Sequence, residues 1–159
     1  MKNNFLEKLK KEEKLELIDP SENIHDSYLE KSNNCMKAAK LLLQNKLYEN
    51  SIGMSYYAMY DLLVALLFRV GIKCENHSAA ILLLKSLFEN DELFKLISNA
   101  KKERIDKQYY ITTEKDTVTE EIAKELLTHA EYFVLNLKSI IARLKNEDVP
   151  KIREKFKTL

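Results

Sequence analysis

The sequence predicts an all-α protein, an up-and-down bundle of about five helices. Three observations carry that prediction. Two Gly and two Pro in 159 residues leave little material for tight hairpins. Lys, Leu, Glu and Ala, which favour helices, are abundant. A stretch from Asn50 to Arg69, NSIGMSYYAMYDLLVALLFR, is apolar on several faces, as the central helix of a bundle is. The length suits one domain with a core of its own.

Taken in order, residues 4–17 have helix-forming composition with a thin apolar face of Phe5, Leu6, Leu9, Leu15 and Leu17. They form either a docked outer helix or a frayed arm, and residues 1–20 are set apart as an N-terminal helical arm. Asp19-Pro20-Ser21 breaks this segment and supplies a cap for a helix from about Ser21 to Asn45, whose inner face carries Ile24, Tyr28, Cys35, Ala38 or Ala39, and Leu42. Lys31 interrupts that stripe. A turn near Asn45 to Leu47 leads into the central helix, where Ile52, Tyr56, Met59, Leu63, Leu66 and Val70 form the seam and Asp61 is the one charged side chain between Glu49 and Arg69.

Gly71 suits the left-handed position past a helix end, and a polar turn follows. Asn76 or Ser78 caps a short, heavily buried helix, AAILLLKSLF. Asn90 and Asp91 then open a fifth segment with Leu93, Leu96 or Ile97, and Ala100 inward. ITTEKDTVT has loop character. Thr117 or Thr119 starts a long last helix with Glu120 and Glu121 in its first turn, where carboxylates favour the helix dipole, and with a seam of Ile122, Leu126, Ala130, Phe133, Leu137, Ile140 and Leu144. The bundle proper is thus expected over 21–145. Pro150 is expected to end the ordered run and to leave 146–159 as a mobile basic tail.

Composition bounds the function. A net charge of +1 gives no global field for nucleic acid, so any phosphate site is a local patch. Cys35 and Cys74 read as reduced thiols, the charged N-terminus has no apolar signal core, and no unbroken apolar run nears the roughly 18 residues of a membrane span. A cytoplasmic location with no membrane contact is expected. Glu22-Asn23-Ile24-His25 copies the Glu-x-x-His spacing of di-iron bundles, but such a site needs a second copy, so no metal or cofactor is expected.

SYYAMYDLLVALLFRVGIKCENHSAAI resembles the signature of the HEPN superfamily: Tyr56, Tyr57, Ala58, Met59 and Tyr60 precede an apolar run, Gly71, and a His77-Ser78 step at the next helix start. The resemblance covers roughly Tyr28 to Lys145. It implies a small helical bundle, commonly a homodimer, often encoded beside a minimal nucleotidyltransferase. Many such proteins are metal-independent ribonucleases whose activity is tied to an Arg followed, after four to six residues, by a His. Here Arg104 leads the matching segment and the His is absent; a subgroup carries Asp-Tyr near this point, and this chain has Gln108-Tyr109.

Cleavage of RNA without a metal needs a base for the 2′-hydroxyl proton and a cation for the phosphate. Arg104 suits the second task, while the first falls to Tyr109, with an unperturbed pKa of about 10, or to His77. Tyr57, Asp61, Lys101, Lys107 and Tyr110 are the candidate binding residues. Asp61 lies one turn beyond Tyr57 on the same face and is expected to pair with Arg104. The bland alternatives are a solvated basic helix end around Arg104 and a packing role for His77. The reading is a HEPN-like interaction or binding module with weak or no catalysis, paired with a nucleotidyltransferase or binding nucleotide or RNA. The alternative is an endoribonuclease toxin of a toxin–antitoxin pair, using Arg104 with Tyr109 or His77.

Overall fold

The computed structural model describes residues 2–109 and 120–159, and the side chains of 4–106 and 120–159. In chain order the elements are α1 (Lys2–Lys11), β1 (Leu15–Leu17), α2 (Glu22–Gln44), α3 (Tyr48–Arg69), β2 (Ile72–Cys74), α4 (His77–Phe88), α5 (Asp91–Tyr109), α6 (Glu120–Arg143) and α7 (Asp148–Lys157). The class is all-α, with seven helices rather than five among the described residues. The segment 111–119, including the caps expected at Thr117 or Thr119, lies outside them.

Helix α3 is the hub, with Ile52, Tyr56, Met59, Leu63 and Leu66, and Val70 just past its end, all fully buried. By length and hydropathy alone it could cross a membrane, but 83% of its most apolar window is buried inside the bundle. Its tightest neighbour is α2, which runs antiparallel to it along a seam of small residues. His25, Ser32 and Ala39 face Ala65, Ala58 and Ser51, each set spaced seven residues apart. Three side chains cross the seam to backbone carbonyls: His25 Nδ1 lies 2.8 Å from the oxygen of Ala65, Ser32 Oγ donates to Ala58 at 2.6 Å and Ser51 Oγ donates to Ala39 at 2.8 Å. This register corrects the expected inner face of α2, because Ile24 is 38% exposed and its neighbour His25 is buried.

The caps behave as the composition suggests. Ser21 Oγ accepts from the Ile24 amide, Asn76 Oδ1 from Ala79, and Asn90 Oδ1 from Leu93. Gly71 has φ +73° and ends α3, and a Cβ there would lie 2.5 Å from the carbonyl oxygen of Ile18. Past it the chain becomes β2, which pairs antiparallel with β1 in the register Leu15↔Cys74 and Leu17↔Ile72. Residues 15–17 were expected to be helical and 73–78 a polar turn. A three-residue strand shows no usable period, and its partner lies 57 residues away along the chain.

The terminal segments pack on the bundle. Leu6 and Leu9 of α1 are 3% and 5% exposed. Contrary to the expected mobile tail, residues 148–157 form α7, with Phe156 3% exposed. Pro150 falls in the first turn of α7, where an amide has no intrahelical acceptor to lose. Arg153 Nη1 reaches the carbonyls of Ile18, Gly71 and Val70 at 2.7, 2.8 and 3.1 Å, a cation placed at the negative end of α3.

Candidate functional site

The first turns of α4 fold back against the middle of α3, and α5 closes over both. On α3, Tyr56 and Tyr60 are one turn apart with rings stacked at 6.0 Å. His77, the first residue of α4, lies flat on Tyr60 at 3.8 Å between centroids and 13° between planes. Its Nδ1 is 2.7 Å from the Tyr56 hydroxyl, which leaves Nε2 as the ring nitrogen outside this bond. From α5, the Arg104 guanidinium sits 5.0 Å from the Tyr56 ring centre and 5.4 Å from that of Tyr57, and donates to the Tyr57 hydroxyl at 3.3 Å. One turn earlier, Lys101 donates to Ser78 Oγ at 2.5 Å. Tyrosines of one helix, a helix start and a basic stripe thus meet at one place.

The electrostatics follow from this crowding. Burial, then the charges of Arg104 and Lys101, hold His77 below the usual imidazole value, so it is neutral at neutral pH. Burial and Arg104 likewise lower Lys101. Tyr56 is pushed well above the usual phenol value by burial, against a smaller pull from Arg104, and Tyr60 is raised by burial as well. Both therefore remain hydroxyl groups. The site combines two fixed cations, a neutral imidazole and phenol hydroxyls, a set that can bind an oxyanion and can exchange a proton with it.

Of the residues expected at the site, Arg104, Lys101, His77 and Tyr57 come together. Asp61 does not join them. It is 3% exposed and turned toward α2, where Lys31 Nζ lies 3.8 Å from Oδ1 and the Cys35 thiol donates to Oδ2 at 3.7 Å. The expected pairing with Arg104 is thus replaced by one with Lys31, the residue that interrupts the α2 stripe. Four residues advance a helix about 40° beyond a full turn, enough here for Tyr57 to reach α5 and Asp61 to reach α2. Burial raises the Asp61 carboxyl more than Lys31 lowers it, and burial with the nearby carboxylate lifts Cys35 to about 11. The side chains of Lys107, Gln108, Tyr109 and Tyr110 lie outside the described residues. Tyr56, Tyr60 and Ser78 were not singled out as site residues, although Tyr56 and Tyr60 are one turn apart and Ser78 adjoins His77.

The comparison with protein families decides the relationship: the model of the HEPN domain matches residues 25–153. The chain belongs to the HEPN domain family. Among curated proteins, it is 30% identical over 114 residues to a protein of Methanocaldococcus jannaschii named "Putative toxin MJ0605", covering 69% of this chain and 82% of that one. The HEPN match takes in α3, α4 and α5 and hence every residue of the cluster, whereas α1 and β1 lie before it.

Proposed function

We propose that this HEPN protein binds a phosphate-bearing ligand, nucleotide or RNA, at the cluster of His77, Lys101, Arg104 and Tyr57, with weak or no cleavage. In this reading it acts in the cytoplasm as a homodimer beside a minimal nucleotidyltransferase. The observation that carries it is the gathering of Arg104 and Lys101 around His77, with Arg104 against the Tyr56 and Tyr57 rings, Lys101 on Ser78 beside His77, and burial and the two cations lowering the proton affinity of His77. An entering phosphate relieves that repulsion, and Arg104, already held against two tyrosine rings, presents a planar fork to it. Asp61 has no part in binding.

The second reading is a metal-independent endoribonuclease toxin. It is favoured by the name of the M. jannaschii relative and by His77, whose neutral ring near Arg104 supplies a base where the family's usual His is missing. Tyr109 is the other candidate for that role.

One experiment addresses both: fluorescence anisotropy with a short single-stranded RNA, and a cleavage assay on the same RNA in EDTA, for wild type, Arg104→Ala and His77→Ala. Binding is expected to weaken at least about tenfold in Arg104→Ala, with the dependence on log salt shallower by about one phosphate contact. Cleavage lost in both variants would install the toxin reading in place of the first. Binding unchanged by Arg104→Ala would remove both.

A further inference from the structure

Beside the basic cluster, between α1, α4 and α5, opens a cavity of about 360 Å³. Its walls are mostly apolar: Phe5 from α1, Ile81 and Leu82 from α4, and Phe94 from α5, with Ser98, Ser78 and Lys101 on its polar side. Ser78 and Lys101 are therefore shared. They are joined by a hydrogen bond at 2.5 Å, and they adjoin the cluster, Ser78 next to His77 in the chain and Lys101 one turn before Arg104 on α5. Along α5, Ser98, Lys101 and Arg104 follow at steps of three residues, about 4.5 Å of rise each, so Lys101 comes between the apolar cavity and Arg104 along the helix.

We propose that this cavity takes the heterocyclic base of the nucleotide whose phosphate is held by Lys101 and Arg104. The proposal deepens the phosphate-binding reading and rests on it. A volume of about 360 Å³ lies near the lower end of the range of about 300–1,000 Å³ for small-molecule sites, which suits a single base rather than a larger ligand. Phe5 and Phe94 are the aromatic side chains for stacking, Phe94 having Lys85 Nζ 5.3 Å from its ring centre, and Ser98 offers a hydroxyl to ring nitrogens and exocyclic groups, as does Ser78, whose oxygen accepts from Lys101. The charge is complementary along its length, apolar and aromatic at one end and cationic at the other. Phe5 stands 39% exposed although its helix is anchored by the buried Leu6 and Leu9, so one wall of the cavity is set by a helix that precedes the HEPN match. That helix gives this chain a means of choosing its ligand that residues 25–153 do not contain.

The test is calorimetric titration of the full chain with ribose 5-phosphate and with AMP, CMP, GMP and UMP. Wild type, Phe5→Ala, Phe94→Leu and Arg104→Ala are compared, with folding of each checked by circular dichroism. At least one nucleotide is expected to bind about tenfold or more tightly than ribose 5-phosphate, a ratio that falls to within about twofold in Phe5→Ala and in Phe94→Leu. Arg104→Ala is expected to weaken both ligands together. Equal binding of ribose 5-phosphate and all four nucleotides overturns the base site and leaves the phosphate reading standing. Failure of every phosphate ligand to bind, or indifference to Arg104→Ala, overturns both. If sedimentation shows that Phe5→Ala dissociates a dimer while the nucleotide preference persists, the cavity is a surface for a second copy and the proposal fails.

Discussion

His77 carries the most chemistry per atom in this molecule, since one ring stacks on Tyr60, bonds to Tyr56 and feels two cations. Its proton affinity is lowered in the fold, so the unfolded chain takes up the proton first. The stability it contributes is complete above the unfolded value near 6.5 and is lost as pH falls through the lower folded value. Wild type is therefore expected to lose more melting temperature between pH 7.5 and 5.5 than His77→Gln, which keeps a polar group without titrating; thermal melts of the two at both pH values check this, and a larger loss in the variant would contradict it. Asp61 has the opposite sign. Its carboxyl is raised by burial, so the charged form is a net cost at neutral pH, relieved as pH falls toward the folded value. Asp61→Asn is expected to leave the melting temperature at pH 7 unchanged or raised by about 2–4 °C, equivalent to about 1 kcal/mol in a domain of this size, and the gain should shrink as pH falls toward 4. Lys31, with its side chain 63% exposed, keeps access to water and loses little when Asp61 is replaced.

Among the elements, the α2–α3 seam depends on small side chains at seven-residue intervals, and the buried hydroxyls of Ser32 and Ser51 find carbonyl partners across it. Such a seam has no space for larger groups. Ala39→Leu is expected to cost about 1–3 kcal/mol in urea unfolding, with little change in the slope against urea. The junction after α3 depends on charge instead. Arg153 of α7 gathers the carbonyls of Ile18, Val70 and Gly71, uniting the strand entry, the end of α3 and the C-terminal helix. Arg153→Ala is expected to cost about 1.5–3 kcal/mol by the same measurement, the usual value of hydrogen bonds to a charged group. Arg153→Lys should recover only part of it, because an ammonium lacks the planar fork.

At the scale of the whole molecule, the two ends of the chain meet: Lys10 donates to the carbonyl of Phe156 at 3.0 Å and lies over its ring at 4.6 Å. Phe156→Ala is expected to lower stability by about 3 kcal/mol, read as a fall in melting temperature, by opening a space under both terminal helices. These ends show why the sequence was legible only in part. The helices from Glu22 to Arg143 were readable because period, caps and breakers are local: Ser21, Gly71 and Asn90 mark boundaries by what their own side chains or backbones do. The pattern from Tyr56 to Ser78 was readable as well, and with it the family. Helix α7, the β1–β2 pair and the partner of Asp61 were not. Each depends on a residue far along the chain, and a thinly apolar, Lys-rich segment such as 148–157 becomes a helix through what Phe156 and Arg153 find on the bundle. The site divides in the same way. The sequence by itself determined that Arg104, His77 and Tyr57 exist at family-like positions, that Lys101 belongs to a local basic cluster with Arg104, and that α3 is central. Only the tertiary structure decided that His77 lies on Tyr60, that Arg104 reaches Tyr57 while Asp61 faces Lys31, and that α1 walls a cavity beside them. A helix surrounded by neighbours buries every face, and burial alone does not say which neighbour a given side chain meets.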